Sequence, residues 1–196
     1  MVKLNRITTG GGDHGESSLG DGSRLSKGDD IFAAIGDADE VNCQLGMLVR
    51  SLNDSKQNVS QQINDIRYIQ HDLFDLGADL CFPFNKERKK SALRITQAHI
   101  ERIEKLCDKY SENLGELTSF ILPGGSECAS LAHLVRATSR RLERHIVKAM
   151  SQHDINPLTQ IYVNRLSDFL FQYARFLNDN GTQDILWQPA YSVKQD

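Results

Sequence analysis

Apolar residues recur along this chain at steps of three and four, the spacing that gathers them on one face of an α-helix. From Ile31 onward, Ala38, Val41, Leu45, Leu48, Val49 and Leu52 form a first stripe, and Ile63, Ile66, Ile69, Leu73, Leu76 and Leu80 a second. After a basic connector, FPFNKERKK, a third stripe runs through Ile100, Ile103, Leu106 and Tyr110, with Thr96 placed to cap its start. A loop containing FILPGGS separates it from a fourth, Leu131, Leu134, Val135, Leu142, Ile146 and Ala149. The fifth is Tyr162, Leu166, Phe169, Leu170, Tyr173 and Leu177. Thr138 falls inside the fourth stripe, where its hydroxyl can bond a carbonyl one turn back without breaking the helix. Asn156-Pro157 opens the fifth, a cap followed by a residue whose missing N–H does no harm in a first turn. No alternating strand pattern of useful length and no internal repeat is present. Five one-faced helices bury their stripes against one another, which predicts an all-α five-helix bundle over residues 31–178.

Residues 1–30 follow a different rule. Gly10 to Asp30, GGGDHGESSLGDGSRLSKGDD, is dense in glycine, serine and charge and holds almost nothing that could join a core. Alone it is expected to be mobile. Gly10, Gly12 and Gly15 match GxGxxG formally, yet no apolar strand precedes them and no helix opens on them, so the dinucleotide fold that gives the motif meaning is missing. GxxxxGK[ST] is absent. What remains is a run of backbone N–H groups, the hydroxyls of Ser17 and Ser18, and Lys27, which together could wrap a phosphate chain. A floppy arm with no ligand is the alternative. Residues 179–196 form a C-terminal tail, and the whole 196-residue chain has the length of one domain.

Composition narrows the field. Hydrophobic residues at 39%, charged residues at 25% and a net charge of −3 describe a soluble globular protein with no electrostatic call for nucleic acid. The four cysteines, Cys43, Cys81, Cys107 and Cys128, stand far apart without ligand spacing, which argues against a zinc site or a disulfide framework. The N-terminus lacks the apolar run of a signal peptide and no stretch approaches the length of a membrane span, so a cytoplasmic location is expected.

The polar residues of the fourth helix are grouped. Arg136, Arg140 and Glu143 project together, flanked by His133 and Arg144 and opposite the apolar stripe. A guanidinium presents a planar fork of donors suited to phosphate, and an embedded carboxylate can hold such forks in place. A solvated face laced with Arg–Glu pairs is the other account of the same spacing. On the fifth helix Asn164, Asp168 and Arg175 share a face. In the first helix Asp39, Glu40 and Asn42 interrupt an apolar passage; they face water, or Asp39 pairs with an arginine of another helix or subunit.

Four blocks, in this order and spacing, resemble the PduO-type family of ATP:corrinoid adenosyltransferases from about Thr8 to Asn178. TGGGDHGESSLGDGSRLSK is similar to the family's nucleotide loop and GDADEVN to its first-helix acidic motif. FILPGG resembles its mid-chain loop, and RATSRRLER with NRLSDFLFQYARF its last two long helices. The resemblance implies a homotrimer of five-helix bundles in which the glycine-rich N-terminal loop of one subunit closes over ATP held on the arginine helix of its neighbour. The implied ATP contacts are Thr9, Gly10, Gly11, Gly12, Ser17, Ser18 and Lys27 in the loop, and Arg140, Arg141, Glu143, Arg144 and Asn164 on the helices. Asp39 and Arg136 match an interface ion pair, and Phe120 an aromatic on the lower side of the corrin. The implied substrates are ATP with Mg²⁺, its metal ligands unassigned, and a cob(I)alamin-type corrinoid. A cob(II)alamin reductase and an adenosylcobalamin-dependent enzyme are the implied partners.

In the family's reaction Co(I) is the nucleophile at the ribose C5′ of ATP and triphosphate leaves, so no serine, cysteine or histidine need be activated. Arg140, Lys27 and Phe120 are the residues on which catalysis is expected to rest. Another ATP-cleaving transferase and a non-catalytic corrinoid carrier are the rival functions. One departure stands out: where family members commonly have lysine or arginine, this chain has Gly10. Lys27 must then supply the loop's charge, or ATP binds less tightly.

Overall fold

The computed structural model describes residues 8, 10–55, 59–82, 84 and 93–193. Five helices carry the chain: α1 (Asp30–Asp54), α2 (Ser60–Leu80), α3 (Gln97–Ser111), α4 (Glu127–Ala149) and α5 (Pro157–Leu177). Each start has a chemical cause. Asp29 accepts from the Ile31 N–H at 2.9 Å, Ser126 from Ala129 at 3.1 Å and Asn156 from Leu158 at 3.1 Å, with Pro157 in the first turn. Thr96 and His99 form a reciprocal capping box at α3. Around the bundle the order is α2, α1, α4, α5, α3, with α4 packed on both α1 and α5.

The predicted stripes are the core. Leu45, Leu48, Ile66, Leu76, Ile103, Leu142, Ile146, Tyr162, Leu166, Phe169 and Tyr173 are all essentially inaccessible to solvent. Thr138 donates to the Leu134 carbonyl at 3.2 Å, as its place inside a stripe requires. Leu134 itself is a correction: it stands 49% exposed, because α4 turns that edge away from both α1 and α5.

A seam of buried carboxylates at seven-residue intervals on α2 closes the bundle. Asp65 accepts from Lys109 at 2.6 Å and from the Tyr110 hydroxyl at 2.7 Å. Asp72 receives Arg102 and the Tyr162 hydroxyl, the latter at 3.0 Å. Asp79 accepts from Arg94, from the Ile95 N–H at 2.8 Å and from Asn156 at 2.7 Å. Each charge taken out of water is matched by a cation or by several donors, the condition under which a buried carboxylate is tolerated.

Four short strands fasten loops that the helical pattern leaves open: β1 (Glu16–Ser18) pairs antiparallel with β2 (Arg24–Ser26), and β3 (Ile121–Leu122) with β4 (Ile185–Leu186). The segment expected to hold almost nothing for the core does contribute one side chain from the turn of this first pair: Leu19 is buried, and the Gly20 N–H donates to the Cys81 carbonyl at 2.8 Å. The second pair folds the tail back across the mid-chain loop. That loop is pinned by Asn178, whose amide accepts from Ser126 N–H and donates to the Gly124 carbonyl, both at 3.0 Å. Gly125 lies at φ +95°, and a Cβ there would come within 2.2 Å of the Asn178 side chain. Gly125→Ala is therefore expected to lose about 2 kcal/mol through backbone strain and displacement of the amide. Thermal unfolding should show a melting point lower by roughly 4–8 °C; an unchanged melt would mean that the loop repacks freely.

Candidate active site

The first part of the site is the N-terminal hairpin. Gly10, at φ +70°, and Gly12 shape a turn in which Asp13 N–H donates to the Gly10 carbonyl at 3.2 Å and Gly15 N–H to that of Gly12 at 3.3 Å. The Lys27 ammonium packs over this turn, at 2.7 Å from where a Cβ on Gly12 would sit, while the Lys27 N–H donates to Gly15 O at 2.8 Å. Ser17 and Ser18 lie on β1; Thr9 falls outside the described residues. The root of the hairpin is tied to the end of α4: His153 meets Asp29 at 2.7 Å, and Lys148 and Gln152 meet Asp30 at 2.8 and 2.9 Å.

The second part is a groove of about 660 Å³ over α5, flanked by α3 and α4. Arg136 and Arg140 form one wall, Glu104, Cys107 and Asp108 the other, with Arg165, Asp168 and Phe171 along the floor. Burial and the neighbouring Arg140 charge both pull Arg136 below its ordinary pKa, and its Nε is buried with no partner among the described residues. Burial, reinforced by Asp168, pushes the Cys107 thiol up to about 12. That cysteine is an inert wall and not a nucleophile. A polar relay crosses the groove's end: Asn164 donates to Glu143 at 3.1 Å and accepts from Arg165 at 3.0 Å, and Arg165 pairs with Glu104 at 2.9 Å. Glu143 and Asn164 are thus fixed in orientation, whereas Arg140 and Arg144 stand exposed at the rim.

The third part is apolar. Trp187 N–H donates to the Phe120 carbonyl at 2.7 Å and Ser119 Oγ to the Trp187 carbonyl at 2.9 Å, extending the β3–β4 ladder by one residue at each strand. Phe120 is 80% exposed and meets the Trp187 ring edge-on at 6.3 Å. Together with Ile121 and Leu122 they line a cavity of about 370 Å³, beside one of about 500 Å³ that includes Leu186 and Tyr191. So much contiguous apolar surface outside the core marks a place where something binds.

The family model described as cobalamin adenosyltransferase matches residues 7–177 of this chain. The chain is 42% identical over 192 residues to a corrinoid adenosyltransferase of Mycobacterium tuberculosis (strain ATCC 25618 / H37Rv), covering 96% of each. It is 34% identical over 192 residues to that of Bacillus subtilis (strain 168), covering 97% of this chain and 96% of the relative. Among solved structures, a phenylalanine-to-alanine variant of the PduO-type ATP:corrinoid adenosyltransferase from Lactobacillus reuteri, complexed with cobalamin and ATP, superposes with a TM-score of 0.83 at 34% identity. The match covers 93% of this chain and 99% of that one. The chain belongs to the cobalamin adenosyltransferase family.

Within this adenosyltransferase the four sequence blocks converge only in part. Arg140, Glu143, Arg144 and Asn164 gather at one end of the α4–α5 surface. Arg141 turns the other way, donating through Nε to Asp37 at 3.0 Å and through Nη2 to Glu40, with His145 on the second Asp37 oxygen at 2.8 Å. Glu40, though exposed, is therefore not a bystander: with Asp37 it joins α1 to α4. Asn42 is buried, donating to the Gln70 carbonyl at 3.1 Å.

Two expectations about the polar faces are corrected. His133 is buried beneath the cationic face and not beside it, and burial together with Arg136 holds its imidazole below the ordinary pKa. Arg175 is buried as a clamp, bonding Asp184 at 2.8 Å and the Gly115 carbonyl at 2.9 Å. Asp39 is exposed and has no partner among the described residues; it is not paired with Arg136 of the same chain. The residues missed from sequence are Asp37, Arg24 and Trp187. Asp21-Gly22 between two short polar runs was a hairpin signal that would have placed Arg24 beside the loop.

Proposed function

We propose that this adenosyltransferase binds ATP against Arg140, Glu143, Arg144 and Asn164, beneath the N-terminal hairpin, and a reduced corrinoid against Phe120 and Trp187. The observation that carries this is the separation of surfaces: an arginine-rimmed groove on α4–α5 and an apolar platform at the β3–β4 end, both within a fold whose relative is complexed with cobalamin and ATP. The cobalt of a Co(I) corrinoid attacks C5′ of ATP; the Co–C5′ bond forms as the C5′–O bond breaks, and triphosphate departs with the electron pair. The protein's work is alignment and stabilisation of the charge growing on the triphosphate, through Lys27 and the arginines. Mg²⁺ that accompanies ATP is given no ligand. The one described group with ligand spacing, Asp72, Asp75 and His99, lies on α2 and α3, where Asp72 already pairs with Arg102.

A homotrimer fits the same surfaces. Among the described residues neither Arg136 Nε nor the Asp39 carboxylate has a partner, and Met47 and Leu134 are half exposed on the outer faces of α1 and α4. A neighbour that sets Asp39 on Arg136 would cover these side chains and bring its loop over the arginines. A reductase that supplies Co(I) and an enzyme that consumes adenosylcobalamin follow from the chemistry, and a cytoplasmic setting is consistent with the finding that no described helix is long and apolar enough to cross a membrane.

Mixing the protein anaerobically with Mg-ATP and chemically reduced cobalamin tests the assignment. Formation of the alkylated corrinoid spectrum with stoichiometric intact triphosphate is expected. ADP or AMP as product would indicate cleavage at phosphorus, and corrinoid binding without ATP turnover a carrier. Trypsin gives a second measure. Arg24 and Lys27 are exposed on a hairpin that gives the core only Leu19 and part of Leu25 among its described side chains, so cleavage there is expected to slow several-fold when Mg-ATP is added. Equal rates with and without nucleotide would count against a closing loop.

A further inference from the structure

Arg24, three residues before Lys27, uses every arm of its guanidinium inside the N-terminal hairpin. Nη2 donates to the Gly11 carbonyl at 2.8 Å, Nε to Glu16 at 3.2 Å and Nη1 to the Ser18 hydroxyl at 3.4 Å. The hairpin's other end is already held, by Leu19 in the core and by Gly20 N–H on the Cys81 carbonyl. The turn from Gly10 to Gly15 has no apolar side chain to bury, and its Asp13–Gly10 and Gly15–Gly12 bonds are internal. One end of the turn is tied to the strands by the Lys27 N–H bond to the Gly15 carbonyl at 2.8 Å; the Arg24 fork ties its middle, reaching from the Gly11 carbonyl to both ends of β1.

We propose that Arg24 is a positioning residue for ATP, a role that rests on the assignment of Gly10–Gly12, Ser17, Ser18 and Lys27 to the nucleotide. A Gly11 carbonyl held by a guanidinium cannot swing toward an anion, so the turn presents N–H groups to the phosphates. The same fork neutralises Glu16, whose free charge would repel them. This answers the absence of a basic side chain at Gly10: the loop's second cation comes from β2 and acts through the backbone. A lysine cannot take over, because a single ammonium does not span three acceptors each met by a different nitrogen of the fork.

Steady-state kinetics of adenosyl transfer, with calorimetric titration of Mg-ATP, test the role. Arg24→Ala should raise KM for ATP about tenfold, the loss of one charge-assisted contact. Its kcat and its KM for corrinoid should change little. Arg24→Lys should resemble the alanine variant, and adding Glu16→Ala to Arg24→Ala should recover part of the ATP affinity. A KM for ATP within twofold of the parent, or a fall in kcat and melting temperature together at constant KM, would overturn the proposal and leave Arg24 a structural residue. If the parent protein itself fails to bind Mg-ATP, the nucleotide assignment of the loop fails first, and Arg24's role with it.

Discussion

Arg140→Ala is expected to remove most of the adenosyl transfer while leaving the fold intact. The side chain stands exposed on the rim of the α4–α5 groove, outside the apolar stripe of α4, so no core contact is lost. With ATP bound as proposed, what disappears is a charge-assisted contact to the triphosphate, worth about 1.5–3 kcal/mol. That corresponds to roughly ten- to hundredfold in kcat/KM. Its neighbours define the contrast. Arg141 lies next in sequence but points to Asp37 and Glu40, so its loss should act through the α1–α4 junction. Measured kcat/KM for Arg140→Ala within about twofold of the parent would mean that the arginine face is merely solvated.

Phe120→Ala should have an equally large effect with a different signature. A phenylalanine plugging the bundle would cost roughly 3–5 kcal/mol on truncation, but at 80% exposure, with its ring edge-on to Trp187, this one has little stability to lose. Melting temperature and ATP affinity are expected to stay near those of the parent. Transfer should slow sharply when cobalt must be reduced on the protein. An aromatic against the lower face of the corrin excludes the axial ligand, and a four-coordinate Co(II) without that ligand's electron donation is easier to bring to Co(I). Supplying fully reduced cobalamin should restore part of the rate. A much lower melting temperature with weakened ATP binding would place Phe120 in the core after all.

The helices were legible because burial imposes a period, and Ile66, Leu142 and Phe169 sit where that period puts them. Leu134 shows its limit: the spacing says which residues share a face, while a second helix decides how wide the covered strip is. The β-ladders left no comparable trace, since strands of two or three residues such as Ile121–Leu122 and Ile185–Leu186 are too short for alternation to register. In the site, Arg140, Glu143 and Asn164 could be grouped from helical spacing together with family resemblance. The direction of Arg141 could not, because it is set by Asp37, which lies 104 positions away in the chain. Nor could the fate of Arg175, which shares a face with Asn164 and Asp168 on paper but is drawn inward by Asp184 and the Gly115 carbonyl. Partners brought in by tertiary packing, not local preference, decided these cases.

The β3–β4 ladder joins Phe120 to Trp187 through a few bonds at the molecule's edge, anchored to the bundle by Asn178 and the Arg175–Asp184 clamp. Segments so lightly covered open locally at a small fraction of the free energy needed to unfold the helices beneath them. A tail that peels from Ile121 and Leu122 while Asn178 holds its root would free the Trp187 N–H well before any helix opens, so hydrogen exchange at Trp187 is expected to run ahead of that in α4 and α5.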